Sequence, residues 1–200
     1  MDDRTADGDL AALLAAAAGG DQHAWRALVE RYSRRVYALL VRLCHDRELA
    51  EEITQATFVK LVEALDDYQE SGRFEPWLFR IAANRLRDEM RRRKRQARPM
   101  GAAPGDGGEA GAWSAVEAGA GDTGSMSPLE TMTRAEQLAQ LRQAVEQLSE
   151  ADREVIYMRH TAGLTFAQIA EALEQPIGTV LARGHRALAK LRKLMNEQES

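Results

Sequence analysis

The chain has 200 residues, a formal charge of −4 and 44% apolar residues, rich in Ala and Leu with few aromatics. Its single cysteine, Cys44, excludes an internal disulfide framework and a multi-cysteine zinc site. The acidic balance excludes a uniformly basic nucleic-acid binder, so any polyanion-binding surface has to be local. At the N-terminus Asp2, Asp3, Asp7 and Asp9 precede a short Leu/Ala run ending at Gly19-Gly20. That segment is acidic where a signal peptide is basic, and too short to span a bilayer. A cytoplasmic protein with no membrane insertion is expected.

Trp25, Leu28, Val29, Tyr32, Val36, Leu39, Leu40 and Leu43 recur at three- and four-residue steps, which predicts an amphipathic helix of about six turns. Cys44 falls in this apolar pattern and reads as a small core residue. Asp46 is placed to cap a second helix, with Leu49, Ile53, Phe58, Leu61, Val62 and Leu65 expected inward and Glu51, Glu52, Thr54 and Gln55 outward. A turn at Glu70-Ser71-Gly72 leads to a third helix from Phe74 to Arg95. Here Trp77, Leu78, Ile81, Ala82 and Leu86 can pack inward, while Arg80, Asn84, Arg85, Arg87 and Arg91 point elsewhere. From Arg73 to Arg98 ten Lys/Arg stand against three acids.

A basic helix carrying Phe74, Trp77 and Phe79 has the ingredients of a single-strand platform, with phosphates on arginines and bases on aromatics. Stacking contributes about 1–3 kcal/mol per base. Aromatics at helical spacing also suit a core, and both readings stand for Trp77. The run Arg91 to Arg95 fits a solvated helix end or a generic polyanion patch.

Composition changes sharply after Arg98. Residues 99–128 hold eight of the fifteen glycines, three of the five prolines, and four acids with no Lys or Arg. Such a stretch buries too little apolar surface to offset its ordering entropy, and a flexible linker is expected. Trp113 within it has no account.

Beyond the linker, Thr165 and Gln168 have the spacing of a capping box, and Leu164 and Ile169 that of a hydrophobic staple. Ile169, Ala170 and Leu173 supply a buried face, the chain breaks at Glu174-Gln175, and Pro176 suits the first turn of a new helix. From Pro176 to Met195 there are five Lys/Arg (Arg183, Arg186, Lys190, Arg192, Lys193) and no acid. A cationic helix delivered across a short turn suits a DNA major groove. The expected fold class is all-α: two small helical domains, 9–98 and 129–196, joined by the linker 99–128.

Four segments in this order resemble the extracytoplasmic-function (group IV) sigma factors of the sigma-70 family. GDQHAWRALVERYSRRVY is similar to the opening helix and DRELAEEITQATFVKLVEAL to the polymerase-binding helix. FEPWLFRIAANRLRDEMRRR is similar to the segment that opens the promoter. LSEADREVIYMRHTAGLTFAQIAEALEQPIGTVLARGHRAL resembles the C-terminal helix-turn-helix. The likeness runs from about Leu10 to Leu194.

The resemblance implies a sigma factor that directs core polymerase to promoters of stress or envelope-signal response genes. It implies no catalysis of its own, no cofactor and no metal. The implied partners are bacterial core RNA polymerase through its β′ clamp and β flap, promoter DNA, and an anti-sigma factor. Clamp binding falls on Glu51, Glu52, Gln55 and Phe58; Ala56 stands where many relatives carry another acid. Minus-ten recognition and melting fall on Tyr68, Phe74, Trp77, Arg80, Asn84, Arg85, Arg87 and Arg91. Asn84 matches the family's asparagine at the pocket for a flipped base, and an amide offers both donor and acceptor to a base edge. The loop Gln69-Glu70-Ser71 departs from the commoner Arg-Gly-Asp-like loop.

Minus-thirty-five readout falls on Thr179, Leu181, Ala182, Arg183, His185, Arg186 and Lys190. Leu181-Ala182 replaces a basic residue followed by Ser, and these side chains can only touch a thymine methyl. Gly184 stands where relatives carry a bulky residue. Glu174 replaces a common turn glycine, so a tighter or shifted turn is expected.

Thirty linker residues reach at most about 100 Å but average about 30 Å as a free chain. Promoter elements two helical turns apart lie about 70 Å from each other. The free protein is therefore expected to be compact or of mixed geometry. Three rival readings make different predictions, one of them a protein-only adaptor that binds through its acidic helix and in which neutralising the arginines would change little. A stand-alone helix-turn-helix regulator would bind duplex DNA without polymerase, leaving the basic Trp77–Arg95 helix and the acidic second helix without a role. A nucleic-acid enzyme lacks a metal-ligand cluster, a Walker lysine loop and a nucleophile–base pair in this sequence.

Overall fold

The computed structural model describes residues 3–68, 71–96 and 128–198. Most of the expected linker, with Trp113, and the loop residues Gln69 and Glu70 lie outside the described residues. Among those described there are eight helices and no strand: α1 (Asp3–Ala18), α2 (Gln22–Cys44), α3 (Arg47–Ala64), α4 (Phe74–Gln96), α5 (Pro128–Glu146), α6 (Glu150–His160), α7 (Phe166–Ala172) and α8 (Ile177–Gln198). The all-α expectation holds. Also among the described residues, no helix is long and apolar enough to cross a membrane.

Local chemistry sets several helix starts. Asp21 accepts from the His23 amide at 2.8 Å, and Asp46 from the Leu49 amide at 2.9 Å. Ser149 accepts from the Asp152 amide at 3.2 Å. At α7 the capping box is complete: the Gln168 amide donates to Thr165 Oγ1 at 3.2 Å, and the Thr165 amide to Gln168 Oε1 at 2.8 Å. Each such cap contributes about 1 kcal/mol.

The first unit packs α2 against α1, α3 and α4. Its centre is Leu28, Tyr32, Val36, Leu39 and Leu40 of α2 with Leu61, Phe74, Leu78, Phe79 and Ala82, all at 1% exposure or less. α1 was not foreseen as a helix; its Leu10, Leu14 and Ala17 are buried. The second unit packs α8 against α5, α6 and α7 around Met158, Leu164, Ile169, Val180 and Ala187. Each fully buried Leu or Met contributes about 1.5–3 kcal/mol.

Helix α3 is rotated relative to the expected face. Thr54 is buried, not outward, and Val62 is 53% exposed, not inward. The buried stripe runs Leu49, Ala50, Ile53, Thr54, Thr57 and Leu61, and one residue past Leu61 turns the chain about 100° away from it. Burial of the two threonines is satisfied locally. Thr54 Oγ1 donates to the Ala50 carbonyl and Thr57 Oγ1 to the Ile53 carbonyl, each at 2.7 Å. Val29 of α2, expected on the apolar face, is also exposed.

The two units pack on each other, α2 and α4 against α6 and α7. Arg35 holds the junction. Its Nη1 and Nη2 donate to the Glu75 carboxylate at 2.6 and 3.1 Å, and its Nε donates to the Ala162 carbonyl at 3.0 Å. The Arg35 guanidinium also lies over the rings of Tyr32 and Phe79. A fork engaged on a carboxylate and a carbonyl at once is a directional contact that lysine could not reproduce.

Candidate nucleic-acid interface

Gly72, at φ +76°, turns the chain into α4. The N-terminal end of α4 carries an aromatic cluster. Tyr68 and Trp77 stack with ring centroids 4.5 Å apart and planes at 17°, and Phe74 lies 5.9 Å from Tyr68 and 6.0 Å from Trp77. Tyr68 and Trp77 are half-buried, so each keeps an accessible edge. Phe74 and Phe79 are not available in the same way. At 1% and 0% exposure both belong to the core, and neither offers a face to a base in this arrangement. Their spacing served packing, as the core reading allowed.

Along α4, Asn84 and Arg91 are exposed, and Arg80, Arg85 and Arg87 are half-buried. Several of these cations already have acidic neighbours. Arg80 Nη1 is 3.1 Å from Glu174 Oε1, Arg87 Nε 3.8 Å from Glu154 Oε1, and Arg91 Nη1 3.9 Å from Asp88 Oδ1. At the basic end, Arg92 and Arg93 hydrogen-bond Glu89 at 2.7 to 3.0 Å. Those bonds hold the Glu89 carboxyl down at about 2. Arg93 also reaches Asp46 at 3.0 Å and Glu52 at 3.6 Å. The run Arg91 to Arg95 is therefore less cationic than its sequence.

In the second unit, α7 and α8 form the helix-turn-helix. Pro176 sits one residue before α8, its carbonyl accepting from Thr179 and Val180, so it starts the helix from the cap position rather than from inside the first turn. Glu174 adopts φ +53°, the left-handed conformation that costs a side-chain-bearing residue about 1–2 kcal/mol. Glu174 thus takes a conformation that suits glycine, and the chain bears the strain of a side chain there. Gly184 lies where α8 meets α7: a Cβ there would sit 2.8 Å from the Phe166 ring. The bulky residue of relatives has no room beside this phenylalanine.

The exposed face of α8 carries Thr179, Ala182, His185, Arg186 and Lys190, with Leu181 and Arg183 half-buried beside it. Ile177, 51% exposed at the tip, joins this face and escaped the sequence reading. Three of the cations are tethered within their own unit. Arg183 donates to Gln175 Oε1, Arg186 to Asp152 Oδ1 at 3.2 Å, and Lys190 to the Gln147 carbonyl.

A separate surface lies on α3. Glu51, Glu52 and Gln55 are exposed and Phe58 half-buried. Val59 and Val62, 58% and 53% exposed, extend the same helical strip. Val62 was expected inward and Val59 was not singled out; the signal was their step of four and seven from Gln55.

A basic helix beside stacked aromatics, and a helix-turn-helix in the same chain, define a bipartite DNA-binding protein. The chain matches the model described as Sigma-70 region 2 over residues 28–96 and that of Sigma-70, region 4 over residues 138–191. It is 31% identical over 179 residues to RNA polymerase sigma-H factor of Pseudomonas aeruginosa, covering 88% of each chain. It is 28% identical to the sigma factor SigW of Bacillus subtilis, covering 89% of this chain and 92% of SigW. The solved structure of CnrH in complex with the cytosolic domain of CnrY matches with a TM-score of 0.63 at 26% identity, covering 94% of this chain and 97% of that one. The chain belongs to the sigma-70 family and is a sigma factor of its extracytoplasmic-function group.

Proposed function

We propose that this sigma factor works by dividing recognition between its two helical units, over about 9–98 and 129–196, bridged by 99–128. α8 reads the minus-thirty-five element as duplex through Thr179, Leu181, Ala182, Arg183, His185, Arg186 and Lys190. Arg183, Arg186 and His185 carry the polar readout, and Ala182 and Leu181 can meet only a thymine methyl. α4 melts the minus-ten element. Its phosphates fall to Arg80, Arg85, Arg87 and Arg91, and its flipped base to Asn84 with the accessible edges of Tyr68 and Trp77. Flipping costs a few kcal/mol, which stacking and phosphate contacts can offset without ATP.

The polymerase surface is the α3 strip: Glu51, Glu52, Gln55, Phe58, Val59 and Val62. Its acidic start suits a cationic clamp helix, and its exposed valines supply the apolar core such a contact needs. The protein has no catalysis of its own and acts in the cytoplasm with the polymerase. An anti-sigma factor is a further partner on this reading; the solved relative CnrH is in complex with the cytosolic domain of CnrY. The carrying observation is that an acidic-apolar strip and two separate basic helices occur in one chain.

Co-elution with bacterial core RNA polymerase at near-physiological salt tests this reading. A stable complex weakened by Glu51→Lys and Glu52→Lys is the expected result. Absence of a complex, with salt-sensitive duplex binding by the protein alone, would establish the stand-alone regulator instead.

A further inference from the structure

Arg183 stands on the second turn of α8, half-buried at the edge of the face that carries Thr179, Ala182 and Arg186. It donates through Nη1 to Gln175 Oε1, across the turn that joins α7 to α8. A guanidinium can only donate, so the amide oxygen must be the atom that faces it, which leaves the Gln175 NH2 group as a free donor chemistry. Arg186, by contrast, is held by the Asp152 carboxylate, which offsets part of its charge. A neutral acceptor orients Arg183 and leaves the cation whole. Glu154 of α6 also feels this cation, which opposes the burial-driven rise of its pKa, but the directional bond goes to the amide.

The Gln175 backbone is fixed from both sides. Its amide donates to the Ala170 carbonyl at 2.9 Å and the Glu174 amide to the Glu171 carbonyl at 3.1 Å, closing the end of α7. Pro176 follows and disfavours helical backbone at Gln175. The Pro176 carbonyl then accepts from the Thr179 amide at 2.9 Å as α8 begins. The Gln175 side chain, itself half-buried, therefore grows from a rigid root. An orienting group is only as exact as the backbone that carries it. An arginine left free would have to be ordered when DNA arrives, and that cost falls on affinity and on discrimination between bases.

We propose that Gln175 is a positioning residue for promoter reading, which aims the Arg183 guanidinium at one base pair of the minus-thirty-five element without neutralising it. Gln175 acts through Arg183 and touches no base itself. The side chain at 175 then sets two properties of Arg183 separately, its aim and its net charge. A carboxylate there would keep the aim and offset the charge. An apolar side chain of similar length would keep the charge and lose the aim. Residue 175 lies in the turn, outside the helix that enters the groove, and still tunes which base is preferred.

This proposal rests on the reading that Arg183 contacts minus-thirty-five DNA, and the experiment separates the two. Holoenzyme is assembled from core polymerase and the full chain as wild type, Arg183→Ala, Gln175→Met, Gln175→Glu or the Arg183→Ala/Gln175→Met double variant. Each is mixed with a pool of duplexes randomised across both promoter elements, and the bound fraction is sequenced. Arg183→Ala should flatten the preference at one base pair of the outer element about tenfold. Gln175→Met keeps the length and removes the acceptor. It should flatten the same base pair about two- to tenfold, and add nothing once Arg183 is alanine. Gln175→Glu restores the acceptor, so the preference should return while affinity for every sequence falls. The slope of affinity against salt should then shrink by about one, as for loss of one cation. Thermal melts of the free chains exclude a mere brace of the turn. If Gln175→Met lowers stability and weakens all sequences equally, the proposal is overturned. A change at a different base pair, or no recovery with Gln175→Glu, overturns it as well. Flattening by Arg183→Ala with Gln175→Met like wild type removes the positioning role alone. Unaltered preferences with Arg183→Ala remove the DNA reading of Arg183, and the proposal with it.

Discussion

Arg186 Nη2 lies 3.2 Å from Asp152 Oδ1, so the cation that α8 presents toward DNA is oriented by the first turn of α6. A guanidinium held in advance loses less freedom when it meets a guanine edge or a phosphate. Arg186→Ala should cost about 1–3 kcal/mol of minus-thirty-five affinity if the contact is bidentate. Asp152→Asn keeps the shape and removes the charge, and should cost less than about 1 kcal/mol. Fluorescence anisotropy of holoenzyme on a minus-thirty-five duplex measures both. A promoter preference untouched by Arg186→Ala would take Arg186 out of the reading set.

Gly184 and Phe166 form a matched pair across α7 and α8. An alanine at 184 in a helix interior would ordinarily gain about 1 kcal/mol over glycine. Here its Cβ would meet the Phe166 ring at 2.8 Å, and the ring, which also lies under Arg159, would have to move. Gly184→Ala alone should therefore be neutral or destabilising. Combined with Phe166→Ala, the same change should be stabilising by up to about 1 kcal/mol relative to Phe166→Ala alone. Urea unfolding of the four chains gives the coupling. An equal effect in both backgrounds would mean that Phe166 does not constrain the helix approach.

The features that were legible in the sequence are the local ones. Thr165 and Gln168 predict their reciprocal bonds because capping depends on three-residue spacing alone, and Asp46 predicts the start of α3 in the same way. What escaped depends on contacts distant in sequence. Thr54 and Val62 exchange sides because α3 turns its threonines into the core, where carbonyls four residues back satisfy them. For Phe74 the helical spacing allowed both a core and a base-stacking role, and its packing on Tyr32 of another helix, 5.3 Å away, decides for the core. The Arg80–Glu174 contact joins residues 94 apart, and no local pattern announces it. Nor does sequence reveal that Glu174 keeps a glycine conformation.

Glu154 provides a pH test. Burial raises its carboxyl pKa above the ordinary 4.5, with Glu150 adding to the rise and Arg87 and Arg183 opposing it. A carboxyl whose pKa is raised by folding stabilises the fold only while protonated. Stability from this group is present below 4.5 and is lost as pH rises through the folded-state pKa. Each tenfold change in acidity corresponds to about 1.4 kcal/mol. Glu154→Gln should thus match wild type near pH 4.5 and exceed it in thermal stability at neutral pH. Should the variant instead be less stable at pH 7, the Arg87 ion pair would outweigh the cost of burial.

Asn84 is exposed on α4, one turn beyond Arg80, and it is the side chain proposed to receive the flipped base. Its replacement by alanine tests function with little structural interference. Alanine is the better helix former by about half a kcal/mol, and no buried contact is lost. Asn84→Ala should therefore leave the folded protein at least as stable and leave binding to core polymerase unchanged. Each amide–base hydrogen bond is worth about 0.5–1.5 kcal/mol, so loss of two should reduce promoter opening about tenfold. Permanganate reactivity of minus-ten thymines in the holoenzyme reports opening, and co-elution reports assembly. Reduced reactivity with intact assembly assigns Asn84 to melting. Reactivity equal to wild type would move base capture to Tyr68 and Trp77, whose stacked rings present the other accessible surface at that end of the helix.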